Sequence, residues 1–177
     1  TTHRWIFEEP GIKVTVDFQI SPTRSGDEGG KIRNLTQNLS AVITPGLSFA
    51  FDDQETITLS GETPFGEKAE REISVCGPGA FVILKSLAFN ARGENKDAYD
   101  LYYTVYQHDQ RLNELADRMR PFFSEKEGKK AVNYLQRDFT DPAAVGPSRV
   151  AKFVGRLDDE LKADVSAYVN RLLTFLD

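Results

Sequence analysis

The chain has 177 residues, a net charge of -5, one cysteine and two histidines, and that length buries a core within a single domain of ordinary size. One cysteine excludes an internal disulfide, and one cysteine with two histidines excludes a structural zinc set. The acidic balance argues against a surface built for duplex nucleic acid, no apolar run approaches the roughly 20 residues that cross a bilayer, and the N-terminus lacks a signal-peptide pattern, so a cytoplasmic protein without a membrane partner is expected.

The chain opens on Thr1-Thr2-His3-Arg4-Trp5 without an initiator methionine and enters strand-like sequence at once, as a chain beginning in mid-domain would. Residues 12 to 20 alternate apolar and polar, the period of a strand with one buried face. Ile12, Val14, Val16, Phe18 and Ile20 are expected in the core, and Lys13, Thr15, Asp17 and Gln19 on the other face. Trp5-Ile6-Phe7 is also strand-like, and the turn chemistry of Glu9-Pro10-Gly11 makes the two an antiparallel hairpin. Residues 21 to 30 hold three glycines and almost nothing apolar, the composition of a mobile loop. Pro45-Gly46 marks a turn, Asp52-Asp53 another, and further strands are expected at Glu55 to Leu59 and Glu70 to Val75.

Character changes at Cys76-Gly77-Pro78-Gly79. Ala80 to Ala91 reads as a helix with Pro78 tolerated near its start and Gly93 placed to end it, and a second helix is expected from Lys96 to Gln107. Three or four more follow, broken near Pro121, Asp141-Pro142 and Gly146-Pro147. In the last, Leu157, Leu161, Val165, Tyr168, Leu172 and Phe175 form an apolar stripe, either core or a face for a partner. The expected fold class is α+β, strand-rich over residues 1–76 and helical over 77–177.

Lys85 interrupts an otherwise nearly apolar helix, Ala80 to Phe89. A buried ammonium needs a carboxylate or a bound anion beside it. Arg92, two turns on, falls on the same side. Asp97, Asp100 and Thr104 share one face of the next helix, and the short Gly93-Glu94-Asn95 link would bring the two carboxylates to Arg92 and Lys85. The spacing fits either a salt bridge locking a helical hairpin or an anion site. Asp17, on the polar face of a strand, is either solvated or a metal ligand beside a cleft. Tyr99, Tyr102, Tyr103 and Tyr106 fit either a stacking platform for bases or core.

Taken together, His3-Arg4-Trp5, Val14-Thr15-Val16-Asp17-Phe18, the helix around Leu84-Lys85-Ser86-Leu87-Ala88, and the Arg-x-x-x-Lys-Asp-x-x-Asp-Leu run from Arg92 to Leu101 resemble, in words and in order, the AbiEii/AbiGii toxin-like nucleotidyltransferases. The resemblance covers residues 3 to 107. It implies a nucleotidyltransferase-like mixed sheet, here partial, followed by a helical half. It also implies magnesium-dependent transfer of a nucleotidyl group from an NTP to an acceptor such as RNA, in toxin-antitoxin or phage-defence systems, with an antitoxin as partner. By the same likeness Asp17 corresponds to a metal-binding carboxylate of the sheet, Lys85 and Asp97 to the lysine and aspartate of the nucleotide site, and Arg92, Lys96 and Asp100 to their supports. The family's first motif, Gly-Ser followed by Asp-x-Asp, has no counterpart in this chain, which is therefore expected to be an incomplete or inactive part of such an enzyme, or a non-catalytic nucleotide- or protein-binding module.

Overall fold

The computed structural model describes residues 2–176. They form two compact units that divide between Ser48 and Phe49. Secondary structure changes from strand to helix where expected, after Cys76, but the division into units falls earlier, because the second hairpin is continuous with the helical part.

In the first unit, β1 (Arg4–Glu9) and β2 (Ile12–Asp17) pair antiparallel with Trp5 opposite Val16 and Phe7 opposite Val14. The hairpin and its turn are as expected. Its apolar face is not buried: Trp5 is 55% exposed, and Phe7, Ile12, Val14 and Val16 are exposed too, as is Ile6 on the opposite face. Alternation sets which side chains share a face; whether anything lies on that face is decided elsewhere. Beside this ribbon a three-stranded mixed sheet sets β3 (Gln19–Ile20) parallel to β5 (Ser40–Ile43), whose other edge takes β4 (Ile32–Asn34) antiparallel. The glycine-rich segment between β3 and β4 is held by Asp27. One of its carboxylate oxygens accepts from the Thr23 amide (2.8 Å), the Arg24 amide (2.9 Å) and Arg33 Nη1 (2.6 Å).

The second unit opens with a single turn, α1 (Phe49–Asp52), then a long antiparallel ribbon of β6 (Gln54–Glu62) and β7 (Lys68–Cys76). Helix α2 (Pro78–Arg92) follows. Pro78 sits in its first turn, where a missing N–H costs nothing, and Gly93 ends it at φ 65°, donating its amide to the Phe89 carbonyl. Helix α3 (Asn95–Gln107) runs back along α2. Then come α4 (Leu112–Met119), a 3₁₀ turn at Arg120–Ser124, α5 (Lys126–Phe139), α6 (Val145–Val154) and α7 (Asp159–Thr174). Pro121 and Asp141-Pro142 do separate helices. Gly146-Pro147 does not: it forms the first turn of α6, a position proline tolerates because its absent N–H would have had no partner there.

Helix α2 is the centre of this unit. Val82, Ile83 and Phe89 are buried against Leu101 and Val105 of α3, Leu115 and Met119 of α4, and Leu135 and Phe139 of α5. Phe49 stacks on Phe122 at 4.6 Å. The Ser86 hydroxyl, buried in the core, donates to the Ala131 carbonyl (2.8 Å), so its one polar group is satisfied. The stripe on α7 is core through Leu161, Val165 and Leu172, while Leu157 and Phe175, at the ends, are exposed. No helix among the described residues is long and apolar enough to cross a membrane.

Candidate functional site

The hairpin of α2 and α3 brings five of the predicted site residues to one place. Lys85, carried on the α3-facing side of α2, donates from Nζ to Asp97 Oδ1 (3.1 Å) and Asp100 Oδ2 (2.7 Å). Arg92, two turns along, makes a bidentate pair with Asp97: Nε to Oδ2 at 2.6 Å and Nη2 to Oδ1 at 2.8 Å. Lys96 reaches one turn along α3 to Asp100 Oδ2 at 2.6 Å. The expectation that a carboxylate would lie within ion-pair distance of Lys85 is met twice. The ammonium also lies 5.3 Å from the centre of the Phe81 ring, one turn earlier on α2, a cation–π contact.

Burial divides the cluster into an inner and an outer layer. The Asp97 side chain is 1% exposed, Asp100 16% and Lys85 19%, whereas Arg92 is 61% and Lys96 66% exposed. Burial pushes the Asp97 and Asp100 carboxyls up, but hydrogen bonds and charge from Arg92 and Lys85 on one, and from Lys85 and Lys96 on the other, outweigh it and hold both below the usual carboxylate range. The hydrogen bonds to Asp97 raise Arg92 in turn. Three cations and two carboxylates make up the hydrogen-bonded cluster, with the two exposed cations in the outer layer, where Glu94 adds a negative charge near Arg92. Arg92 and Lys96 retain unused N–H donors there.

One turn from Lys85 and Asp100, Phe81 and Thr104 line a cleft of about 460 Å³ whose other walls include Cys76, His108, Arg111 and Arg118. His108 Nδ1 is hydrogen-bonded to the Thr104 carbonyl (2.7 Å). Burial, helped by the charge of Asp53, pushes the Cys76 thiol up to about 11, so it is a protonated, inert group near neutrality. Arg118 donates from Nε to Asp53 Oδ1 (2.7 Å) and also pairs with Glu55.

No protein-family model, curated protein or solved structure matches this chain. Function rests on the site itself.

Asp17 belongs to the other unit and has its own partner. Arg4, directly opposite across the β1–β2 ladder, takes both carboxylate oxygens at 2.6 and 2.8 Å. Those hydrogen bonds, with the arginine charge, hold Asp17 below its ordinary range. The three carboxylates assigned to the site are thus each engaged by cations, Asp97 and Asp17 through both oxygens. Asp97 and Asp17, with both oxygens taken, do not fit a divalent ion, which needs free carboxylate oxygens. Among the described residues no group of three or more Asp, Glu, His or Cys side chains is placed to hold one.

Sequence reading missed Asp53. Expected in a turn, it is buried, and its Oδ2 accepts the Ala80 amide (2.8 Å) in the first turn of α2 while Oδ1 takes Arg118. It caps the helix that carries Lys85. The partners lie 27 and 65 positions away, beyond any local pattern; only the unsatisfied first turn of a helix starting at Pro78 signalled that an acceptor had to come from somewhere. The tyrosines of α3 are part core and part surface. Tyr102 and Tyr106 pack edge-on against Tyr168 of α7, and Tyr99 stacks on Phe153 of α6, yet Tyr103 and Tyr106 are 47% and 44% exposed.

Proposed function

We propose that this chain is the nucleotide-holding part of a cytoplasmic nucleotidyltransferase of the toxin-antitoxin or phage-defence type, which moves a nucleotidyl group from an NTP to an acceptor such as RNA. The observation that carries the reading is the Lys85, Arg92, Lys96, Asp97 and Asp100 cluster: buried carboxylates inside and two exposed cations outside. Asp97 and Asp100 fix the Lys85 side chain by two hydrogen bonds and offset the cost of burying its charge. Arg92 and Lys96 then offer donors to triphosphate oxygens, and arginine suits that role because its planar fork matches two oxygens at once. In nucleotidyl transfer an acceptor oxygen attacks the α-phosphate and pyrophosphate leaves; cations fixed beside the triphosphate stabilise the charge that builds on it. Because Asp97 and Asp17 do not fit magnesium, no step is assigned to a metal held by them. An antitoxin, in this reading, is a protein partner of the whole enzyme.

A second reading, a non-catalytic binding module, draws on the completeness of the pairing: Lys85 already has two carboxylates and needs no ligand. Calorimetric titration of NTPs into wild type and Lys85→Met separates the two. The methionine keeps the stem volume, Asp97 keeps Arg92 and Asp100 keeps Lys96, so the fold stays intact. We expect NTP affinity to fall about tenfold, because without the Lys85 charge Asp97 and Asp100 are balanced by Arg92 and Lys96 alone, which leaves those two less free for phosphate. Equal affinities would make the lysine architecture alone.

A further inference from the structure

The surface shared by α3 and α6 carries a second set of groups that the Lys85 cluster leaves unused. Tyr103, Tyr99 and Phe153 form a three-ring stack with Tyr99 in the middle, its centroid 5.7 Å from Tyr103 at 23° and 4.7 Å from Phe153 at 27°. The two end rings are the open ones, Tyr103 at 47% and Phe153 at 45% exposure. Each end of the stack can therefore take another planar ring. Arg149, Lys152 and Phe153 share one face of α6, at i, i+3 and i+4, and Arg156 follows just past the Gly155 cap. Val150 and Ala151 hold the opposite face in the core.

Helix α6 and the turn after it carry cations without a carboxylate of their own, the next in sequence being Asp158. Residues 143–157 contain three cations and no carboxylate, in a chain whose net charge is -5. Among the described residues Arg149 donates to the neutral Asn95 side chain at 3.3 Å, and Arg156 pairs with Asp158 on the exposed surface, a contact that water and salt weaken.

We propose that this face of α3 and α6 docks a single strand of nucleic acid, whose bases extend the Tyr103–Tyr99–Phe153 stack and whose phosphates run along Arg149, Lys152 and Arg156. Ring stacking accepts any base because every base has a π-face, and cations beside it follow the backbone. A duplex keeps its bases stacked inside and cannot use the rings. A lipid surface is the competing occupant, since Val154 and Leu157 stand exposed beside the cations. Against it, a membrane-lying helix needs a continuous apolar face, and that of α6 is already spent on the core. The proposal is independent of the nucleotide reading, because the stack and the α6 cations lie outside the Lys85 cluster.

Fluorescence anisotropy of the whole chain with a labelled uridine oligonucleotide of about ten residues, long enough to cover one such groove, tests it at low salt. Phe153→Ala should weaken binding at least about fivefold, the loss of one stacked ring. Lys152→Gln, a surface change that leaves the fold untouched, should flatten the slope of log affinity against log salt by about 0.7, one phosphate contact on a single strand. Neither change should alter ATP affinity in the calorimeter. The proposal is overturned if the oligonucleotide does not bind, if Phe153→Ala binds it like wild type, or if a duplex of the same length binds equally well. It is overturned too if phosphatidylserine vesicles bind and the oligonucleotide does not.

Discussion

Gly128→Ala is expected to destabilise the second unit by about 3 kcal/mol, at the upper end of usual overpacking costs. Gly128 lies buried in the first turn of α5, where the chain leaves the 3₁₀ turn at Arg120–Ser124. A Cβ at this position would overlap the Phe122 carbonyl oxygen and come within 2.6 Å of its carbonyl carbon. The obstacle is backbone, not a side-chain tip that can swing aside. Relief would require α5 to move off Phe122, whose ring stacks on the fully buried Phe49, and would disturb the Ser86 to Ala131 hydrogen bond between α2 and α5. Urea unfolding followed by far-UV circular dichroism measures the loss. A variant as stable as wild type would mean that α5 does not approach the turn this closely.

The second large effect is at Asp97. Asp97→Ala removes the group that holds both Lys85 and Arg92, and the cost is expected at about 3 kcal/mol, the lower end of what breaking a buried pair costs. The lower end applies because Lys85 retains Asp100 and the exposed Arg92 is taken up by water. The effect depends on pH in a defined direction. Asp97 and Asp100 have folded pKa values below the ordinary range, so the unfolded chain binds protons first as pH falls. Their stabilisation is complete above the unfolded carboxyl value of about 4 and is lost as pH drops through the lower folded values. The gap in stability between wild type and Asp97→Ala should be full at pH 7 and shrink steadily below about pH 4. A gap constant down to pH 3 would show that the aspartate acts by packing and not by its charge.

The helical hairpin was the most legible part of the molecule, because the signals there are local and chemical. A lysine inside an apolar helix demands a counter-charge, Gly93 fixes where the helix ends, and the three-residue link leaves Asp97 and Asp100 as the nearest supply. The strands of the second unit were legible for a similar reason, their period of two. Four things were not. The apolar alternation in β2 marked a face correctly but could not say that it would stay exposed. Gly146-Pro147 carried the sign of a break and is a helix start, since proline has the same local meaning in both. Asp53 and Arg118 meet across 65 positions, and a pair at that distance leaves no trace in any window of sequence. The division between Ser48 and Phe49 was hidden for the same reason, as it depends on which strands pack with the helices and not on their secondary structure.

The claim at the centre of this account is that phosphates sit on the outer layer of the Lys85 cluster. Titrating ATP into ¹⁵N-labelled protein and following the amide and arginine side-chain resonances addresses it directly. The largest shifts are predicted at the Arg92 Nε–H and at the amides from Gly93 to Asp97, where the exposed cations and the start of α3 meet the ligand, with little change in β1 and β2. Saturating ATP that leaves these resonances unmoved, or that shifts a different surface instead, would contradict it.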